Sequence, residues 1–133
     1  MKRVTGIGGI FFKSKDPTAL KAWYQQHLDI GAGADGGIVF EWREKDNPDE
    51  VGMTVWAPFR DDTKYFDPSK ASFMINYRVE DLDAVLAALR AEGVTVAEET
   101  DDSEYGRFGW VMDPEGNRLE LWQPPAGKKE ETG

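Results

Sequence analysis

The residue best suited to chemistry in this chain is Glu120, in the stretch NRLELWQPP at 117–125. Read as a strand, this stretch sends Leu119 and Leu121 to one face and Arg118, Glu120 and Trp122 to the other. A carboxylate beside an indole can ligate a metal, accept a hydrogen bond from a ligand, act as a general base, or close an ion pair with Arg78 or Arg118. Other chemical signals are sparse. The single histidine, His27 in QQHLDI, falls near a helix C-terminus, where an imidazolium caps free carbonyls. The pair Asp61–Asp62 has no apolar surroundings, and EETDDSE (98–104) has no calcium-loop spacing and reads as a solvated acidic loop. There is no Gly-x-Ser-x-Gly and no phosphate loop, and GIGG at 6–9 lies inside a strand-like run, so it is not a dinucleotide fingerprint.

With no cysteine among its 133 residues, the chain cannot form disulfides, thiolate metal sites or a cysteine nucleophile. A formal charge of −9 argues against nucleic acid and anionic membranes as partners, since both need a basic face. The five tryptophans need burial or a ligand to cover them. No apolar stretch approaches membrane-spanning length, and the glycine-broken start MKRVTGIGGIFFKSKDP lacks a signal-peptide cleavage site, so the expectation is a cytoplasmic protein.

The elements that must position Glu120 follow in two similar halves. Residues 3–13 read as a strand, Asp16–Pro17 as a helix start, and Leu20, Trp23, Tyr24 and Leu28 as the helix's apolar stripe. GAGADGG (31–37) reads as a loop, then IVFEWRE and VGMTVWAPF as strands joined by the turn KDNPDE. The polar stretch RDDTKYFDPSK (60–70) lacks a sustained period and reads as a linker. ASFMINYRV then starts the order again as a strand. Asp81 caps a helix with Leu82, Val85, Leu86 and Leu89 on one face, and Gly93 ends it. VTVAEE reads as a short strand, GRFGWVMDPEGNRLELWQPP as a hairpin, and 125–133 as a polar tail. The halves also match in detail. VWAP (55–58) and LWQP (121–124) close them, and FFKSKDP and NYRVEDL lead into their helices. An internal repeat of this kind outranks any single motif. The chain is therefore expected to be one α+β domain, with module 1 at about 3–59, a linker at 60–70 and module 2 at about 71–124.

A βαβββ unit occurring twice, with DPEGNRLELWQ closing the second, resembles the glyoxalase I / bleomycin-resistance / extradiol-dioxygenase superfamily, the vicinal oxygen chelate fold. RVEDLDAVLAALRAEGV carries the resemblance further, and it spans about residues 3–124. The resemblance implies two modules whose mixed sheet curls into a cup, and a homodimer. It also implies that metal-using members draw one ligand from the first and last strand of each module. The Asp caps and the Trp-x-Pro ends place those positions at Gly9, Thr54, Met74 and Glu120. Gly9 has no side chain, Met74 is a soft thioether, Thr54 is a weak neutral donor, and only Glu120 is a competent ligand. A catalytic divalent site usually needs three protein ligands, so no metal or other cofactor is expected.

Alternation along the strands gives a provisional cup lining. The first strand presents Ile7, Gly9, Phe11 and Lys13, and the fifth presents Ser72, Met74, Asn76 and Arg78. The closing strands present Thr54, Trp56, Glu120 and Trp122, while the directions of Trp42 and Trp110 depend on bulges. An aromatic wall with a few polar groups suits a small molecule. The leading expectation is a metal-independent protein holding a small aromatic or cationic molecule at Glu120. Against it stand a lyase, isomerase or dioxygenase using Glu120 as base or sole metal anchor, and a structural or regulatory dimer whose tryptophans are simply core.

Overall fold

The computed structural model describes residues 3–30 and 38–125. The expected loop at 31–37 and most of the expected tail lie outside the described residues. The first half comprises β1 (Val4–Ser14), α1 (Pro17–Leu28), β2 (Val39–Glu44) and β3 (Asn47–Arg60). The second comprises β4 (Phe73–Val79), α2 (Leu82–Ala91), β5 (Asp101–Ser103), β6 (Gly106–Met112) and β7 (Arg118–Gln123). Among the described residues the seven strands form one sheet in the order β2-β3-β1-β4-β7-β6-β5. In each half the first strand lies parallel to the last, β1 to β3 and β4 to β7. The halves join through the antiparallel pair β1–β4, so the modules pair within one chain. This is the expected α+β fold with a mixed sheet.

The helix starts form as their sequences dictate. The Asp16 and Asp81 side chains accept from the backbone N–H of Ala19 and Ala84, satisfying donors that the first turn leaves free. α2 buries Leu82, Val85 and Leu86 against Val79, Val111 and Leu121, forming the core behind the second half. Each such side chain contributes about 1.5–3 kcal/mol. α1 buries no residue fully, and its Tyr24 ring meets Trp56 of β3 edge-on at 4.9 Å.

The hairpin that presents Glu120 is set by its turn. The Asp113 carboxylate accepts from the backbone N–H of Glu115 and Asn117 and from the Asn117 amide, and Gly116 takes the left-handed φ of 84°. Those bonds hold the Asp113 carboxyl below its ordinary range. The resulting register sets Trp110 directly opposite Glu120.

Several local expectations need correction. The turn KDNPDE shrinks to Lys45–Asp46, because β3 already begins at Asn47. VTVAEE is not a strand: only Val96 bridges to Val111, while the acidic stretch after it supplies edge strand β5. There Arg107 bonds Asp102 at 2.9 Å and so offsets part of the charge. The segment 60–70 is more than a connection, since Phe66 is fully buried and Ser69 nearly so. Ile7 leaves the cup face. The register of β1 slips between Ile7 and Gly9, so Ile7 pairs with Tyr77, whose ring packs on the α2 side.

Candidate functional site

Glu120 is only 2% exposed, and three donors converge on it. Two come from neighbouring strands at the same register level. Asn76 on β4 donates its Nδ2 to Oε1 at 2.6 Å, and Trp110 on β6 donates its Nε1 to Oε2 at 2.9 Å. The third is the Tyr65 phenol from the 60–70 segment, which donates to Oε2. Burial pushes the Glu120 carboxyl above its ordinary value. The bonds from Tyr65, Asn76 and Trp110, and the charge of Arg118, pull it part of the way back. Burial, followed by the charge of Glu120, raises the Tyr65 phenol in turn, so the phenol keeps its proton and remains a donor.

Aromatic side chains enclose this carboxylate. The Tyr65 ring lies parallel to Phe59 at 5.7 Å and edge-on to Trp110 at 6.3 Å. Phe66, Met74 and Trp110 form a buried cluster to which Phe11 and Phe59 add. Arg118 stacks over Trp110 at 5.1 Å rather than pairing with Glu120. The alternative of an ion pair between Glu120 and Arg78 is also not formed, since Arg78 stands 3.7 Å from Glu50.

The other end of the cup is built on glycine. A Cβ at either Gly6 or Gly52 would collide with the Trp42 ring, so that ring lies across two side-chain-free positions on adjacent strands. Trp42 donates its Nε1 to the Thr54 hydroxyl at 2.8 Å, and that hydroxyl donates to the Ile7 carbonyl. Arg78 covers the Trp42 ring at 5.5 Å. Trp122 lies parallel to Phe108 and donates to the Tyr105 carbonyl. Among the described residues, Asn76 Oδ1 and Arg78 Nη1 are buried without a hydrogen-bond partner.

The structure thus gathers Phe11, Met74, Asn76, Trp110 and Glu120 at one end of the cup face and Trp42, Thr54 and Arg78 at the other, with Trp122 beside Gly8. Trp56 does not join them. It packs behind the sheet, 5.1 Å from Phe12 and against Tyr24 of α1, because Phe12 and Trp56 point to the helix side of paired strands. Sequence reasoning missed Tyr65 and Phe66. Two adjacent aromatics in an otherwise polar stretch were the only local signal.

The four positions that the resemblance assigns to metal do not fit one. Gly9 offers no side chain, and the Met74 thioether is fully buried in the aromatic cluster. The Thr54 hydroxyl is already engaged twice, and both Glu120 oxygens already accept hydrogen bonds. Among the described residues no group of three His, Cys, Asp or Glu side chains converges elsewhere. His27 sits exposed in the last turn of α1, its ring 4.8 Å from that of Trp23.

Two modules paired edge to edge within one chain, with a buried carboxylate on the last strand facing aromatic side chains, define an α+β protein of the glyoxalase type. The chain belongs to the family described as the glyoxalase-like domain, which it matches over residues 9–122. Solved structures agree on the fold. Methylmalonyl-CoA epimerase from Mycobacterium tuberculosis is 21% identical with a TM-score of 0.61, covering 98% of this chain and 95% of that one. The Streptomyces coelicolor methylmalonyl-CoA epimerase in complex with 2-nitronate-propionyl-CoA is 19% identical with a TM-score of 0.65, covering 92% and 99%. A Legionella pneumophila chain described as an NAD-dependent benzaldehyde dehydrogenase is 12% identical with a TM-score of 0.56, covering 88% and 98%. At these identities the likeness shows the fold alone. No curated protein sequence matches the chain. Among the described residues no helix is long and apolar enough to cross a membrane.

Proposed function

We propose that the protein binds a small aromatic molecule in its cup, without a divalent metal, and that Glu120 accepts a hydrogen bond from it. One observation carries this reading. Glu120 keeps a carboxylate nine-tenths or more out of water, between aromatic rings and opposite two donors fixed at strand register. Such a group discriminates among ligands, because a donor that meets it gains about 1.5–3 kcal/mol and a molecule without one leaves it bare. Metal independence rests on the donor set: Gly9 has no side chain, Met74 offers only a soft buried thioether, and Thr54 and Glu120 are already engaged.

The test joins two measurements on the full chain. Elemental analysis should find less than stoichiometric zinc, iron, manganese or nickel, and p-cresol should change tryptophan emission saturably. Glu120→Gln should weaken p-cresol by about 1.5–3 kcal/mol while the fold is retained. About one metal per chain that is lost in Glu120→Gln would overturn the reading.

A second reading follows from the raised Glu120 carboxyl, which makes it a better base than an exposed carboxylate. In that reading the cup hosts a glyoxalase-type lyase or isomerase, with Glu120 abstracting a proton. A ligand that exchanges a carbon-bound proton for deuterium with wild type, but not with Glu120→Gln, would favour it.

The homodimer is proposed as well. Apolar side chains stay exposed around the first half, where α1 buries none of its own.

A further inference from the structure

We infer that Tyr65 fills the aromatic subsite of the cup as a built-in stand-in, and that ligand entry is its displacement by an aryl hydroxyl compound. This rests on the reading that the cup binds a small molecule at Glu120.

The three donors to Glu120 are not equivalent. Asn76 and Trp110 stand on central strands, directly opposite the carboxylate. Tyr65 comes from outside the sheet, and it is 38% exposed although its hydroxyl reaches a residue that is 2% exposed. Its neighbour Phe66 is wholly buried, and Ser69 is 5% exposed with its N–H bonded to the Phe66 carbonyl at 2.9 Å. The segment is therefore pinned at Phe66, and the Tyr65 ring can swing about its own Cα–Cβ bond without unseating it. A surface depression of about 390 Å³ lies against Phe59 and Thr63. Those two residues are the ring stacked on Tyr65 and the side chain bonded to its backbone N–H. The depression therefore adjoins two of the contacts that seat Tyr65, and the ring itself is partly open to solvent.

The ring's setting is that of a bound ligand. It stacks on Phe59, meets Trp110 edge-on and presents one hydroxyl to one buried carboxylate. If Tyr65 swings out with nothing replacing it, Glu120 keeps two donors and loses the third in a site with little water. A hydrocarbon ring does not make up that loss. An aryl hydroxyl does, because it repeats the departing group atom for atom. Displacement also scales the apparent affinity by the fraction of time that Tyr65 is unseated, so weakening the seat tightens binding.

The probe is p-cresol, with toluene as the control that lacks a donor, and the reporter is protein labelled with 3-fluorotyrosine. Four tyrosines give four fluorine resonances, and the Tyr65 signal is identified by its loss in Tyr65→Phe. Titration of wild type with p-cresol should move the Tyr65 resonance toward the solvent-exposed position and leave that of Tyr77 in place. A dissociation constant of about 1 mM suits a ligand of this size. Toluene should bind about tenfold or more weakly. Tyr65→Phe, which keeps the stacked ring and removes only its hydroxyl, should bind p-cresol several-fold tighter than wild type, and Tyr65→Ala tighter still.

A fixed wall residue gives the opposite pattern. The Tyr65 resonance would stay in place while p-cresol bound, or Tyr65→Phe would bind no tighter; either result overturns the inference. If Tyr65→Ala alone binds p-cresol, and does so only with Glu120 intact, the displacement idea falls and the Glu120 reading stands. If p-cresol displaces Tyr65 equally well in Glu120→Gln, displacement stands and the Glu120 reading falls. Absence of binding in wild type and both Tyr65 variants removes both.

Discussion

Glu120 and Asn76 form a pair whose orientation can be argued atom by atom. Because a carboxylate only accepts, Asn76 must turn its Nδ2 toward Glu120, and its Oδ1 is left buried without a partner over Gly8. Glu120→Gln gives the neighbour a donor, and a turn of the Asn76 amide then lets Oδ1 accept it. The Gln variant is therefore expected to melt within about 1 kcal/mol of wild type, since one bond to a charge is lost while one buried desolvation cost is relieved. Asn76→Asp sets two carboxylates about 3 Å apart and should cost several kcal/mol at neutral pH. Most of the lost stability should be recovered on acidification, when the pair shares a proton, and denaturant unfolding at two pH values checks this. Wild type should show a related dependence. The folded carboxyl of Glu120 titrates above the ordinary value of 4.5, so the unfolded chain releases its proton first. Stability from this group is thus lost as pH rises through that window and is not lost below it. The difference between wild type and Glu120→Gln should move in favour of Gln over the same window. The other carboxyls, such as Asp113, titrate alike in both proteins and cancel.

At the level of elements, the cup depends on close approach between strands and on one pinned segment. Gly52→Ala would drive a methyl group into the Trp42 ring, which is held by the Thr54 bond and covered by Arg78. The expected cost is about 1–3 kcal/mol, with a shift in tryptophan emission as the ring is displaced. Phe66→Ala empties a fully buried position shared with Met74 and Trp110 and should cost about 3–5 kcal/mol. It should also release Tyr65 from Glu120, so in thermal unfolding and tyrosine fluorescence this variant separates a pinned segment from a slack one.

The whole molecule is uneven. The second half buries the stripe of α2 behind its sheet, whereas the first leaves Trp23 and Leu28 of α1 about half exposed, and Val39, Phe40, Val51 and Met53 on the edge hairpin nearly so. Exposed apolar side chains gathered on one half of a molecule suit an interface with a second copy. We expect the 15.0 kDa chain to sediment as a dimer of roughly 30 kDa at micromolar concentration. Phe40→Glu should shift it toward the monomer without lowering the stability of the second-half core. A monomer at every concentration would leave this surface for another role.

Much of this arrangement could be read before folding because it is written in short periods. Alternation in RLELWQ put Leu121 in the α2 core and Glu120 on the opposite face, since side chains along a strand repeat every two residues. The Asp16 and Asp81 caps and the DPEGN turn are also local, and each formed as expected. Alternation failed where local order breaks. The slip in β1 between Ile7 and Gly9 removed Ile7 from the cup face, and Trp56 turned out to pack under α1. The third donor to Glu120 could not be read at all. Tyr65 and Glu120 are 55 residues apart, and nothing in RDDTKYFDPSK signals that its two aromatics fold back across the sheet. That contact exists because the pairing of β1 with β4 builds an apolar surface that Phe66 covers, and Phe66 brings Tyr65 to the carboxylate with it.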